Sequence, residues 1–67
     1  MDCEDILDMI NEGIEKLVDG NAEGWKILDK ASKLIYICGP KKTKDFLDAL
    51  NTAKKTKDLS PLLDLEL

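Results

Sequence analysis

Two apolar stripes at the helical period, hinged on Asp19-Gly20-Asn21, make an antiparallel helical hairpin the simplest fold for residues 3–38 of this chain. In the first stripe Ile6, Ile10, Ile14 and Leu17, flanked by Leu7 and Val18, keep the i, i+4, i+7/8 spacing of one helix face. Asp2 suits the N-cap, and Glu4 and Asp5 lie where the positive end of the helix dipole favours acids. Gly20 suits the left-handed position that closes a helix, and Asn21 can cap the next one. In the second stripe Ile27, Leu28, Ala31, Leu34, Ile35 and Cys38 form one broad face. Gly24 lies near its middle, where a missing side chain permits close backbone approach. Gly39-Pro40 ends this stripe, because proline disfavours helix at the residue before it. The expected helices are residues 3–19 and 22–38.

Folding the two stripes about Gly20 brings positions whose numbers sum to about 41 level with one another, so Cys3 faces Cys38 and Ile10 faces Ala31. Two readings of the cysteines stay open. As free thiols they are small core hydrophobes, the default in a reducing cytosol. Joined, they staple the open end of the hairpin and add roughly 3–4 kcal/mol on the chain-entropy account. That is comparable to the ~3–5 kcal/mol that a core of this size supplies. Two thiolates without histidine fall short of the four ligands zinc usually takes, so no metal site is assigned.

A third helix is expected over about residues 43–56, with Phe46, Leu47, Leu50 and Ala53 as its apolar stripe. Thr43 as N-cap with Asp45 in the first turn is the better electrostatic choice. A start at Pro40 sets Lys41, Lys42 and Lys44 against the positive end of the dipole. Ser60-Pro61 is a further helix-start signal. The leucines of residues 62–67 need burial, either in a short fourth helix across the bundle or on another chain. Lys41-Lys42-Thr43-Lys44-Asp45 recurs as Lys54-Lys55-Thr56-Lys57-Asp58, which reads as two helix starts capped by threonine. Two short copies do not make a repeat protein. The expected fold is all-α: one domain over residues 1–67, a small three-helix bundle built on the hairpin, with residues 60–67 available for a short fourth helix.

Chemistry is limited by what is missing. The chain has no histidine, arginine or glutamine, and so lacks the usual general base and the commonest metal ligand. A serine nucleophile would have no base, and no glycine-rich phosphate loop is present. Among fourteen acids some pair of carboxylates can always be chosen, so none is assigned an acid–base role. No enzymatic activity, catalytic residue or cofactor is expected. Met1 is followed at once by acids, without a basic or apolar leader. The longest strongly apolar run, residues 34–38, is far too short to span a bilayer. The expectation is a cytoplasmic protein, of a cell or of something replicating inside one.

The net charge of −4 conceals an asymmetry. Residues 1–21 hold seven acids and one lysine, for −6; residues 22–57 hold nine lysines and four acids, for +5; the last ten residues add −3. Long-range fields of that shape steer encounters with charged partners. Three surfaces could serve such an encounter. Asp5, Asp8, Glu12, Glu15 and Asp19 form an acidic face on the first helix, either simply solvated or a dock for a basic partner. Lys41, Lys42, Lys44, Lys54, Lys55 and Lys57 form a basic surface that invites nucleic acid. Specific base contacts favour arginine and RNA stacking favours aromatics, so nucleic-acid recognition is not expected.

The third candidate is Trp25 with Tyr36, eleven residues apart and so within about 20° of each other on a helix, off the core face and beside Asp29. Either they pack under the third helix or the tail, or they form an exposed pair of the kind enriched at binding hot spots. The string Leu62-Leu63-Asp64-Leu65-Glu66 resembles the short linear motif that binds clathrin, and residues 58–63 fit an acidic dileucine pattern. Nothing else in the chain points to vesicle traffic.

Together these features suit a small non-enzymatic interaction module, a regulator, adaptor or inhibitor that docks on a protein partner through Trp25, Asp29 and Tyr36 or through the acidic face. The competing readings are a nucleic-acid-associated protein using residues 41–57 and a self-assembling structural subunit. Homodimerisation is open, since two copies could pair acidic with basic faces.

Overall fold

The computed structural model describes every residue, Met1–Leu67. Helix α1 spans Cys3–Val18 and opens with a reciprocal cap. The Asp2 carboxylate accepts the Asp5 N–H at 3.1 Å, and the Asp5 carboxylate accepts the Asp2 N–H at 3.4 Å. The helix closes where Gly20 takes a φ of +83°, with its N–H donating to the Leu17 carbonyl at 3.0 Å and that of Asn21 to the Lys16 carbonyl at 2.8 Å. The N-cap of the second helix is Ala22 and not the expected Asn21, whose side-chain oxygen nonetheless accepts the Glu23 N–H at 2.9 Å.

Helix α2 spans Glu23–Leu34 and runs back along α1 as the second arm of the hairpin. The register is the one whose numbers sum to 41: Cys3 is joined to Cys38 with Sγ–Sγ 2.03 Å, Gly13 abuts Leu28, and Gly24 abuts Leu17. The arms cross closely at two glycines. A Cβ on Gly24 would fall onto the Gly13 carbonyl oxygen and within 2.6 Å of Leu17 Cγ; one on Gly13 would sit 2.9 Å from Leu28 Cγ. Gly24 is the close-approach residue expected from the sequence. Its counterpart Gly13, not singled out from the sequence, shares the α1 face of Ile6 and Leu17.

The second arm departs from a continuous helix over residues 22–38. α2 stops at Leu34, and Ile35–Cys38 tighten into a 3-10 turn. The Gly39 N–H reaches the Tyr36 carbonyl at 3.1 Å, three residues back, while the carbonyl of Ile35 accepts the Thr43 hydroxyl at 3.1 Å instead. Helix α3 spans Pro40–Thr56, so the expected start at Thr43 is corrected to Pro40. Gly39, at φ +95°, redirects the chain, and proline at the first helical position sacrifices no hydrogen bond. Lys41 and Lys44 are exposed, so water screens them against the dipole.

The two threonines of the echoed segment are likewise not caps. Thr43 donates back to the Gly39 carbonyl at 2.7 Å, and Thr56, at the end of α3, donates to the Thr52 carbonyl at 2.8 Å. The second copy of the echo therefore ends a helix rather than starting one. Lys57 closes α3 in the left-handed conformation, φ 59°. Asp58 accepts the Ser60 N–H at 2.9 Å at the entry to α4, the single turn Ser60–Leu63. That hydrogen bond holds the Asp58 carboxyl below its usual pKa.

Phe46, Ile6, Ile10, Leu28, Ile35 and Leu62 are the largest fully buried side chains, drawn from α1, α2, the 3-10 turn, α3 and α4. The tail therefore packs on the bundle: Leu62 is fully buried, and Leu59, Leu65 and Leu67 lie against the core. The radius of gyration of 10.7 Å is close to the roughly 11 Å of a fully compact chain of this length, as a docked tail requires. No helix is long and apolar enough to cross a membrane.

Candidate functional site

The structure separates the two aromatics that the sequence placed on one line. Trp25 is half-buried against the core, where it lines an open cleft of about 650 Å³ together with Leu17, Ala22, Lys54, Lys57 and Leu59. Tyr36, on the 3-10 turn, is 68% exposed. Asp29 forms an ion pair with Lys54, clamping α2 to α3. Both partners are substantially exposed, so the pair is screened and contributes no more than about 1 kcal/mol. Asp29→Ala is accordingly expected to lower the urea midpoint only slightly, and by still less in high salt; denaturation curves at two salt concentrations check this.

The basic residues do not converge. Lys41, Lys42 and Lys44 stand at the first turns of α3 and Lys54, Lys55 and Lys57 at its end. Lys41 and Lys54 are thirteen positions apart, roughly 20 Å along the axis. Between them the exposed face carries Asp48, Asn51 and Thr52. Lys54 is committed to Asp29.

The acidic residues do form one surface. Asp5, Asp8, Glu12, Glu15 and Asp19 are all exposed along α1. The two ion pairs of the molecule, Lys26–Glu23 at 3.8 Å and Lys54–Asp29, involve none of them. Asp5 alone is occupied, in the cap with Asp2.

Beside this row runs a furrow that sequence reasoning did not find. Leu7, Asn11, Ile14 and Val18 of α1 form one wall and Leu63, Leu65 and Leu67 the other, over a floor that includes the buried Ile10 and Leu62. It comprises a hollow of about 350 Å³ and a continuation of about 290 Å³ that share Ile14 and Leu63. Val18 and Leu63 are more than half exposed, at 57% and 58%. Glu15 and Asp19 edge the continuation. The available signal was Val18, an apolar residue at the margin of the α1 stripe; its partner Leu63 could be placed only once the tail was.

Because Leu62 is the anchor that fixes the tail, residues 62–66 are not a free linear motif. No three histidine, cysteine, aspartate or glutamate side chains converge in a set that could hold a metal ion. Against known proteins, no family model, no curated protein and no solved structure matches the chain.

Proposed function

We propose that this protein is a non-enzymatic interaction module, a small regulator, adaptor or inhibitor that acts by docking on a protein partner. The observation that carries the reading is the furrow between α1 and the tail. The chain's own side chains leave it unfilled, and a row of carboxylates without ion-pair partners borders it. Exposed apolar side chains gathered beside charges of one sign are what a docking surface offers, whereas scattered ones carry no such meaning. The split of the lysines to the two ends of α3 weighs against the nucleic-acid alternative. The Cys3–Cys38 bond favours an oxidising setting over the cytoplasmic one expected from the sequence.

Affinity capture from the native host with the wild-type protein and with Leu63→Ser tests the reading. A partner retained by the wild type and lost by the variant supports it. Retention of nucleic acid in place of protein, with steep salt dependence, overturns it.

A further inference from the structure

Building on that docking role, we infer that the α1–tail furrow is the seat of a basic amphipathic helix supplied by another protein. The shape sets the first condition. From Leu7 to Val18 the α1 wall runs eleven residues, roughly 16 Å, which matches about three turns of a docked helix. The molecule has no strand and so no sheet edge for strand addition; the furrow has no aromatic residue to receive a polyproline segment and no cation to receive a phosphopeptide, and its aliphatic lining suits helix-in-groove docking.

Charge sets the second condition. On a helical wheel the acidic row lies immediately to one side of the furrow wall, and Lys16, the only lysine of α1, falls beyond the row on its far side. Along the tail, Asp64 and Glu66 alternate with the lining leucines. No lysine lines either hollow. An occupant must therefore present apolar residues at i, i+3 or i+4, and i+7, with lysine or arginine on both flanks.

The same charges repel phosphate backbones and anionic lipid surfaces. A second copy of this chain does not meet the conditions either. Its two lysine-rich helices both have their apolar faces buried in its own core, α2 through Leu28 and Ala31 and α3 through Phe46, Ala49, Leu50 and Ala53.

The test uses the full chain and a fluorescein-labelled peptide of about three helical turns, with leucine at the docking spacing and lysine elsewhere, titrated by anisotropy at low and high salt. Two control peptides accompany it, one of the same composition with its spacing scrambled and one with glutamate for lysine. The basic amphipathic peptide should bind more tightly than both controls, and less tightly in high salt. Leu63→Ser and Val18→Ser, both at exposed positions, should each weaken it roughly tenfold or more while circular dichroism is unchanged. The combined D8N, E15Q and D19N substitutions should flatten the salt dependence.

Equal binding of the scrambled peptide, indifference to Leu63→Ser, or a self-association in sedimentation that Leu63→Ser abolishes would each overturn the inference. If the peptides are indifferent yet capture from the host still depends on Leu63, the basic helix is wrong and the docking role stands. If the wild type captures no protein at all, the docking role fails with it.

Discussion

Reduction of the Cys3–Cys38 bond is expected to remove roughly 3–4 kcal/mol, about as much as the core itself supplies. The bond closes a loop with a sequence separation of 35 and joins the first turn of α1 to the 3-10 turn that ends the second arm. Its main effect on the chain-entropy account is to restrict the unfolded ensemble, so the folded contacts survive reduction while the margin over unfolding shrinks. The burial of Ile6, Ile35 and Phe46 does not involve either sulfur, so the reduced hairpin is expected to keep its core. The expected result is a urea midpoint that falls steeply with reductant, matched by the Cys3→Ser/Cys38→Ser double variant under non-reducing conditions. Hydrogen exchange should accelerate first at residues 3–6 and 35–38. Intact mass with and without reductant, differing by two hydrogens, establishes the bond directly.

Gly24→Ala is expected to destabilise the fold strongly, although in an isolated helix the change would be favourable. Alanine exceeds glycine in helix propensity by about 1 kcal/mol. Here the added Cβ meets backbone: the Gly13 carbonyl oxygen, and the Leu17 nitrogen at 3.0 Å. Backbone cannot rotate aside as a side chain can, so the two arms must separate and open the contacts along the hairpin. Overpacking costs of ~1–3 kcal/mol and more are a large share of the ~3–5 kcal/mol that a core of this size supplies. Gly13→Ala is the informative comparison. Its nearest neighbours are Leu28 Cδ2 and Cγ at 2.9 Å, with the Gly24 carbonyl oxygen at 3.2 Å. A leucine can shift, and the propensity gain offsets part of the strain, so the loss should be roughly half as large or less. Thermal and urea unfolding of the two variants should rank Gly24→Ala well below Gly13→Ala. Equal stabilities would mean that the arms do not cross where the structure puts them.

The hairpin was legible because its determinants are local and agree with one another. The spacing of Ile6, Ile10 and Ile14, the cap at Asp2 and the glycine turn at Gly20 all specify the same element. Register then followed from the turn alone. The choice between Pro40 and Thr43 as the start of α3 turns on backbone geometry at Gly39-Pro40 and not on the three lysines near the helix N-terminus. Exposed charges interact weakly with the dipole, whereas proline's fixed φ and the glycine's positive φ act directly on the backbone. Break-up of the second arm into helix and 3-10 turn depends on the Thr43 hydroxyl reaching the Ile35 carbonyl, a contact between residues eight apart that no periodicity reveals.

The candidate site was the least legible part. Trp25 and Tyr36 were paired by the wheel, but how deeply each is buried depends on α3 and the tail. Those elements cover Trp25 and leave Tyr36 free. The acidic face was visible as a row of residues, and its significance was not. That arises from Leu63 and the tail lying alongside Ile14 and Val18, which creates an apolar furrow next to unpaired carboxylates. A four-residue helix anchored by Leu62 therefore determines where the furrow lies.

The claim on which this view depends is that the α1–tail furrow, and no other face, meets the partner. Photo-crosslinking amino acids placed singly at Val18 in the furrow, at Tyr36 on the 3-10 turn and at Asn51 on the exposed side of α3 test it most directly, with irradiation in the native host. The predicted result is a protein adduct at Val18, absent at Asn51, whose cross-linked peptide is basic and amphipathic. Adducts at Tyr36 or Asn51 with none at Val18 would contradict it.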